Sequence, residues 1–374
     1  MQLSRDPEKF RNVLVKDLMK IFARGPGSFE IYPLPQDASM RRYYRLSGPE
    51  LFAKSGAEGT IVLMVLSDPN PKAKSEEIAA NGAKSGYKYR EPKEEDLDFV
   101  NVLKHFEKVD IPVPHLFGYN IGYGLLYLED LGDDLLETIQ DKIEASERRR
   151  LYFQAIDHVI QIHEKATALK NPGFVGFKRA FDEKLLFREL THYVEYGIEA
   201  RKNMRVDAKD MAVITKHMKA ISSEIAAEPR VVVHRDFQSR NLLLKNGRLR
   251  VIDFQDALMG VRQYDLVSLL RDSYVVLPTK LIEACIVRYC KKIEGKTGAK
   301  IDRARFMRVY HLQTLQRKIK DAGRFDYIDI VKKNRKFLQY IPATLQYVRD
   351  AFAALPEHRP MQERLAKYTP ELAP

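Results

Sequence analysis

The chain has 374 residues, of which 45% are hydrophobic and 30% are charged, a composition typical of a soluble globular protein with a substantial core. The N-terminus is charged and the sequence has no long apolar run, so we expect no signal peptide and no membrane span. The net charge of +12 suits an anionic partner, and composition alone does not choose among nucleic acid, lipid and a phosphorylated small molecule. Cys285 and Cys290, five positions apart in a predicted helix, are expected to be free thiols in a reducing cytoplasm.

The first third of the chain has the pattern of a small β-rich lobe. Asp6 and Pro7 form a helix-start signal, and Gly25 is the predicted end of that helix. Segments rich in β-branched and aromatic residues predict an antiparallel sheet. They lie at 29–32, 42–46, 61–66 and 124–129. The polar segment 72–95 is predicted to be a surface loop that leads into a helix ending near residue 108.

The rest of the chain is mainly helical in pattern. Apolar residues at helical spacing predict helices within 146–167, 179–200 and 207–227, and again from about 262 to 368. A strand-like stretch at 231–252 interrupts them, and Asn246-Gly247 between two apolar runs predicts a β-hairpin. The layout indicates an α+β fold, with a small sheet lobe at 1–129 and a larger helical lobe at 130–374.

The residues that carry chemistry surround this hairpin. His234-Arg235-Asp236 is followed by Asn241 at the spacing of the kinase catalytic loop, and Asp253 follows the second strand. Phosphoryl transfer from ATP needs a group that orients the acceptor hydroxyl and takes its proton, together with oxygen ligands for Mg²⁺. Asp236 is therefore the predicted catalytic base, and Asn241 and Asp253 are the predicted metal ligands. Each residue alone has an ordinary structural explanation in a turn or loop, and the combination favours a kinase-type site.

Several motifs in order along the chain resemble the aminoglycoside-phosphotransferase-like kinases, in particular those that phosphorylate the anomeric hydroxyl of N-acetylated amino sugars. The matching segments are 37–45, 128–132, 234–241, 251–257 and 264–272, with a weaker match at 315–317. The resemblance implies a bilobal protein-kinase-like fold, with a nucleotide-binding lobe at 1–129 and a catalytic and acceptor-binding lobe at 130–374. It also implies ATP between the lobes, with the adenine against the backbone at Glu129 and Leu131.

The chain departs from the usual kinase pattern on the phosphate side. There is no glycine-rich loop, and Ser39 with its neighbours stands in that place, where backbone N–H groups are expected to bind phosphate. Met64 occupies the strand position at which a typical kinase has its phosphate-binding Lys. Another cation is needed, and Arg42 is favoured over the other candidates. Those candidates are Arg41, Arg45 and Lys54.

On the acceptor side the resemblance implies contacts from Arg240, Asp256 and Arg271. Asp265 and Arg271 are more simply interpreted as a structural pair that anchors their helix. The segment 303–336 contains eleven Lys or Arg and three Asp. It is interpreted either as a solvated helix face or as a wall that faces anionic ligands.

The favoured function is that of a cytoplasmic, monomeric sugar kinase that uses ATP and Mg²⁺ and makes an amino-sugar 1-phosphate in cell-wall sugar recycling. The alternatives are a phosphotransferase for another alcohol, such as an aminoglycoside or a choline-like compound, a protein kinase, and a non-catalytic nucleotide-binding pseudokinase. A nucleic-acid binder has only the high pI in its favour, so neither nucleic acid nor membrane is an expected partner.

Overall fold

The computed structural model describes residues 6–23, 28–35, 41–48, 59–66, 89–90 and 97–374. The chain forms two compact units. Unit 1 comprises Met1–Lys104 and Pro112–Asp133, and unit 2 comprises His105–Ile111 and Asp134–Pro374. The division therefore lies after Asp133, whereas the sequence pattern placed it after residue 129.

Unit 1 contains, among its described residues, a six-stranded antiparallel sheet. Its strands are β1 Glu30–Pro33, β2 Arg42–Ser47, β3 Thr60–Val65, β4 Tyr89–Arg90, β5 Leu116–Asn120 and β6 Leu125–Glu129. Their spatial order is β1-β2-β3-β6-β5-β4. The strands predicted at 29–32, 42–46, 61–66 and 124–129 are confirmed. β5 was not predicted, and β4 lies within the predicted loop 72–95, the remainder of which falls outside the described residues.

Two helices contribute to unit 1. The first is α1, Pro7–Phe22, which begins after Asp6, whose side chain accepts a hydrogen bond from the backbone N–H of Lys9. Its apolar face packs against the sheet, so Leu14 and Leu18 are fully buried. The helix ends at Phe22, and the predicted terminator Gly25 lies outside the described residues. The second is α2, Asp98–Glu107, whose last turn belongs to unit 2.

Unit 2 is mainly helical, as the sequence pattern predicted. Its helices are α3 Leu136–Ile139, α4 Ala145–Gln161, α5 Glu183–His192, α6 Ala208–Ala226, α7 Gln263–Leu270, α8 Thr279–Thr297, α9 Arg303–Lys332, α10 Ile341–Ala353 and α11 Arg359–Ala366. Two segments with π-helical hydrogen bonding, Ile162–Ala166 and Tyr193–Ala200, continue α4 and α5. The helix predicted at 179–200 begins only at Glu183, because the Asp182 side chain accepts from the Leu185 N–H and caps it there.

Four strands lie within unit 2: β7 Arg230–Val233, β8 Leu242–Lys245, β9 Arg248–Val251 and β10 Leu258–Val261. β8 and β9 form the predicted hairpin, and Asn246 and Gly247 adopt φ angles of 51° and 73°. Positive φ at both central residues matches the turn type that Asn-Gly favours, so the hairpin prediction is confirmed. β10 pairs antiparallel with β7, so unit 2 contains, besides the predicted hairpin, a second two-stranded sheet that the sequence pattern did not predict.

The long helix α9 runs through the core of unit 2. Leu312, Leu315 and Ile319 are buried in it, and so are Arg317 and Lys318, each with no exposed surface. The interpretation of this segment as a solvated helix face is therefore wrong for its central turns. At Gly323 the backbone of α9 meets that of the π-helical segment so closely that a Cβ would lie 2.6 Å from the Cα of Tyr193.

Cys285 and Cys290 are both buried on α8 and are both free thiols, as predicted. Burial raises the pKa of the Cys285 thiol to about 12. No helix in the described part of the chain combines the length and apolar character that crossing a bilayer requires.

Candidate active site

The loop that follows β7 is held by a buried carboxylate. Asp265, in the first turn of α7, accepts hydrogen bonds from the backbone N–H groups of His234 and Arg235 at 2.8 and 3.1 Å. Arg235 has a φ angle of 80°, a left-handed conformation that is costly for a residue other than glycine. Asp265 thus stabilises a strained backbone immediately before Asp236, as occurs where surrounding structure enforces a functional geometry.

Asp265 is itself oriented by His163, in the π-helical segment after α4. The His163 Nε2 atom lies 3.3 Å from Asp265, and its Nδ1 atom lies 2.8 Å from the Tyr289 hydroxyl. Burial lowers the pKa of His163, so the ring is neutral, donates Nε2–H to the carboxylate and accepts the Tyr289 hydroxyl at Nδ1. The predicted pairing of Asp265 with Arg271 was wrong, because Asp265 bonds the loop and His163 whereas the Arg271 guanidinium lies over the Tyr347 ring.

Asp236 is held by a buried arginine of α9. The Arg317 Nη2 atom donates to Asp236 Oδ1 at 3.0 Å, and its Nη1 atom donates to the Arg235 carbonyl at 2.8 Å. The Asp236 side chain keeps 33% of its surface exposed while Arg317 has none. Burial by itself would raise the pKa of Asp236, but the charges of Arg317, Lys320 and Arg235 lower it to about 2. Asp236 is therefore an oriented carboxylate with Oδ2 left to accept a further hydrogen bond.

Asn241 lies in the 3₁₀ turn Ser239–Asn241, just beyond Asp236. Its Nδ2 atom donates to the Asp236 carbonyl at 2.8 Å, which leaves Oδ1 as the atom that can act as a ligand. The turn is fixed by the buried Asp272, whose Oδ2 atom accepts from both the N–H and the hydroxyl of Ser239 at 2.8 and 2.6 Å. The Asn241 oxygen that is predicted to bind the metal is thus presented by a turn with few alternative conformations.

The hairpin returns the chain from Asn241 to Asp253. The Ile252 N–H donates to the Asn241 carbonyl at 3.0 Å, and the His234 Nε2 atom lies 3.0 Å from the Ile252 carbonyl. Asp253 has a φ angle of 62°, and its Oδ1 atom accepts from Gln255 Nε2 at 2.9 Å. The residues predicted to form the site are therefore brought together, and the Asn241 and Asp253 oxygens have the chemistry that Mg²⁺ prefers.

The three residues predicted on the acceptor side have different surroundings. Arg240 pairs with Glu137 at 3.1 Å, and its Cζ atom lies 3.4 Å from the centroid of the Tyr274 ring, so its charge is used in a local stack. Asp256 is 48% exposed and lies 3.9 Å from the Arg235 guanidinium. Arg271 contacts Tyr347 of α10. Contacts of these residues with an acceptor stay a prediction.

The residues predicted on the nucleotide side lie in unit 1, apart from Ser39, which falls outside the described residues. Arg42 begins β2 opposite Val65, and Leu131 is buried. The Glu129 carboxylate accepts from the backbone N–H of His115 at 3.1 Å. Their roles toward a nucleotide stay predictions.

Two of the other phosphate-side positions are now defined. Arg45 pairs with Asp130 at 2.6 Å and with Asp133 at 2.9 Å, so its charge is already neutralised within unit 1. Met64 is fully buried in the sheet, consistent with an apolar residue in place of the usual strand Lys. Lys54 lies outside the described residues.

Sequence reasoning gave no role to Arg317 or to Asp272. Arg317 was noticed only as part of a weak motif match, and the sequence around it gave no signal of burial because the helix is rich in Lys and Arg. Lys, Arg and Asp are rarely buried without a partner, so its burial requires an ion pair whose partner the sequence cannot identify.

Asp236 is fixed by a buried arginine and lies near an amide and a carboxylate oxygen, those of Asn241 and Asp253. This loop and hairpin, in a chain that also contains an antiparallel sheet, define a kinase-like phosphotransferase. Solved structures share this fold. An ADP-bound aminoglycoside phosphotransferase, APH(2'')-Ib, aligns over 86% of this chain and 94% of its own, with a TM-score of 0.53 and 13% identity. A choline kinase from Cryptosporidium parvum aligns over 95% of this chain and 98% of its own, with a TM-score of 0.58 and 11% identity.

The chain belongs to the phosphotransferase enzyme family, whose model matches residues 30–306. A relative from Pseudomonas aeruginosa, named N-acetylmuramate/N-acetylglucosamine kinase, is 28% identical over 90% of this chain and 88% of its own length. A protein of the same name from Neisseria meningitidis is 28% identical over 72% of this chain and 78% of its own. The family and the kinase-like α+β fold expected from the sequence are confirmed.

Proposed function

We propose that this phosphotransferase is an ATP-dependent sugar kinase that phosphorylates the anomeric hydroxyl of an N-acetylated amino sugar, of the N-acetylmuramate or N-acetylglucosamine type. The products are the sugar 1-phosphate and ADP. The proposal is supported by the relatives named for these two sugars, by the family match and by the chemistry of the catalytic-loop residues in this chain. A role in recycling cell-wall sugars follows from that choice of acceptor.

The chemistry assigned to Asp236 follows from its free oxygen. Oδ2 accepts the hydrogen bond of the acceptor hydroxyl and takes its proton as the new O–P bond forms and the bond from the γ-phosphorus to ADP breaks. An anomeric hydroxyl is more acidic than an ordinary alcohol, so a carboxylate of low pKa is an adequate base. Asn241 Oδ1 and the Asp253 carboxylate would hold Mg²⁺, which supplies charge neutralisation to the phosphates when bound.

The single observation that carries the proposal is the pairing of Asp236 with Arg317. It keeps the carboxylate ionised and fixes one oxygen, which leaves the other to orient an acceptor. A nucleotide-binding pseudokinase has no need of such a base. The cations around Asp236 also disfavour acceptors that are themselves cationic, such as aminoglycosides or choline-like compounds.

The test is phosphorus NMR of ATP incubated in turn with each reducing amino sugar, an aminoglycoside and choline, with wild-type protein, Asp236→Asn and Asp141→Asn in parallel. Asp141 is a matched control, because its side chain is 74% exposed and its carboxylate lies 3.6 Å from Arg148, which is not a residue of the loop. Wild type and Asp141→Asn are expected to give an anomeric phosphate signal that Asp236→Asn lacks. Product from an aminoglycoside or choline alone would assign the other alcohol acceptors, and ATP binding without any product would assign the pseudokinase.

A further inference from the structure

Basic residues on α5 and α9 continue beyond Arg317, the residue that holds Asp236. Arg317, Lys320 and Arg324 are spaced i, i+3 and i+7, so they share one face of α9. Arg317 contacts Asp236, and the helical rise places Lys320 about 4.5 Å and Arg324 about 10.5 Å farther along the axis. This basic face of α9 therefore begins at the catalytic base and continues along the helix in one direction.

The helix α5 adds another cation to this face. Gln316 Nε2 donates to Glu189 Oε2 at 3.0 Å, and the close approach at Gly323 brings α9 against the end of α5 at His192. The rings of His192 and Tyr327 are 5.4 Å apart, and the Arg324 guanidinium lies 4.8 Å from the Tyr327 ring. Arg188 lies one helical turn before His192 on α5, so it faces the same region.

Positive charge at this place exceeds the available counter-charge. Lys320 Nζ pairs with Asp321 at 3.1 Å, and Arg235 shares Glu189 and Asp256 at 3.6 and 3.9 Å. Arg188 and Arg324 are both exposed, and neither makes an ion pair with any residue in the described ranges. We refer to Arg188, Lys320 and Arg324 as the α5–α9 basic patch.

The same excess of charge acts on His192. Burial lowers the pKa of His192, and Arg324, Lys320 and Arg188 lower it further, against a smaller opposing effect of Glu195. An anion at the patch would relieve this mutual repulsion without first having to displace a protein carboxylate from Arg188 or Arg324.

We infer that the α5–α9 basic patch binds the carboxylate of an acidic amino sugar while Asp236 holds its anomeric hydroxyl. The inference rests on the proposed function and adds to it a specificity site. An N-acetylated hexosamine with a carboxylate-bearing ether substituent gains an ion pair at the patch, and its neutral counterpart does not. The patch thus lowers the KM for the acidic sugar and leaves the transfer step itself unchanged.

The test compares N-acetylmuramate with N-acetylglucosamine, which differ in the carboxylate-bearing substituent and share the reacting hydroxyl. In Arg324→Met the KM for N-acetylmuramate is expected to rise about 5-fold, which corresponds to the free energy of a partly exposed ion pair. The rise should be larger in the double variant Arg188→Met/Arg324→Met. The kcat for both sugars and the KM for N-acetylglucosamine should stay at wild-type values. Arg248→Met is the matched control, because Arg248 is exposed on β9 and lies outside the patch.

Raising the salt concentration gives an independent readout, since the KM of the wild type should rise for the acidic sugar alone. Equal changes in KM for both sugars in the patch variants, or no change for either, would overturn the inference while the proposed function stands. A wild type that phosphorylates neither sugar would remove the proposed function and the inference with it. Thermal unfolding of each variant establishes that it is folded.

Discussion

Arg317 is the residue on which the geometry of the base depends most. It has no exposed surface and joins the Arg235 carbonyl to Asp236 Oδ1, a bridge that needs two donors in a fixed fork. A hydrogen bond to a charged group contributes about 1.5–3 kcal/mol, so Arg317→Met is expected to lower kcat by roughly 10- to 100-fold. Arg317→Lys should recover only part of the loss, because an ammonium cannot reproduce the fork. Full activity in Arg317→Met would contradict this role.

The Arg317→Met variant should also differ from the wild type in the pH dependence of kcat/KM. With a pKa of about 2, Asp236 is ionised throughout the working range, so the wild-type kcat/KM should show no acid limb from this group above pH 4 or so. Without Arg317 the effect of burial dominates, the pKa rises, and an acid limb should enter the measurable range. The stability linked to Asp236 has the matching sign: it is present above the unfolded pKa near 4 and is lost as the pH falls through the folded value. Superimposable pH profiles for variant and wild type would refute the assignment.

Asp272 is expected to act indirectly, through Ser239, on Asn241, the predicted metal ligand. Its Oδ2 atom accepts two hydrogen bonds from Ser239, and in Asp272→Asn an amide N–H₂ group can face those donors and leave them unpaired, at a cost of about 1–3 kcal/mol. Loosening the turn that holds Asn241 should raise the Mg²⁺ concentration needed for half-maximal rate. Ser239→Ala, which removes one of the two bonds, should show the smaller shift. The measurement is a Mg²⁺ titration of initial rate at saturating ATP, and an unchanged midpoint in both variants would count against the idea.

At the scale of elements, α9 and the segment after α5 depend on a close backbone contact. In Gly323→Ala the new Cβ would lie 2.6 Å from the Tyr193 Cα and 2.7 Å from its N atom, so backbone must move. We expect a loss of unfolding free energy of about 1–3 kcal/mol, measured by urea denaturation. Gly295→Ala on α8 is the control, because its Cβ meets nothing within 4 Å and the helix gains up to about 1 kcal/mol. Equal stability of the two variants would contradict the proposed contact.

The elements also show which parts of the fold can be predicted from sequence. The β8–β9 hairpin was predictable because Asn246 and Gly247 encode their own turn, and that turn brings Asn241 and Asp253 together. The role of His163, in the π-helical segment after α4, was not predictable, because its side-chain partners Asp265 and Tyr289 lie far along the chain.

The same limit applies to the site. Asp236, Asn241 and Asp253 could be identified because their spacing is local and chemically restrictive. Arg317 lies 81 positions from Asp236 along the chain, and its role appears only once α9 has packed against the loop. β10 was missed for a similar reason, since its short apolar run pairs with β7 and gives no periodic signal of its own.

At the scale of the whole molecule, buried and partly buried histidines are expected to make stability depend on pH. The pKa values of six are lowered, chiefly by burial: His158, to about 4, and His163, His192, His217, His311 and His358. The unfolded chain takes up these protons near pH 6.5 while the folded chain does not, so the free energy of unfolding should fall as the pH drops from about 7 to about 4. Asp326, whose pKa is raised by burial, opposes this change in part.

Urea denaturation at a series of pH values measures this dependence directly. The transition midpoint should move to a lower urea concentration as the pH falls, and this movement should be smaller in His158→Leu. A midpoint that stays constant between pH 7 and pH 5 would contradict this expectation, because it would mean that the folded and the unfolded chain bind the same number of protons.

The burial of both cysteines has a practical consequence for studying this enzyme. Cys285 and Cys290 have no exposed surface, and a thiol whose pKa is about 12 is almost entirely protonated at neutral pH and reacts slowly with maleimides. A cysteine introduced at an exposed position such as 248 would therefore be labelled first in the native background, without removal of either natural thiol. Fluorophores or spin labels attached there could follow substrate-dependent motion during turnover.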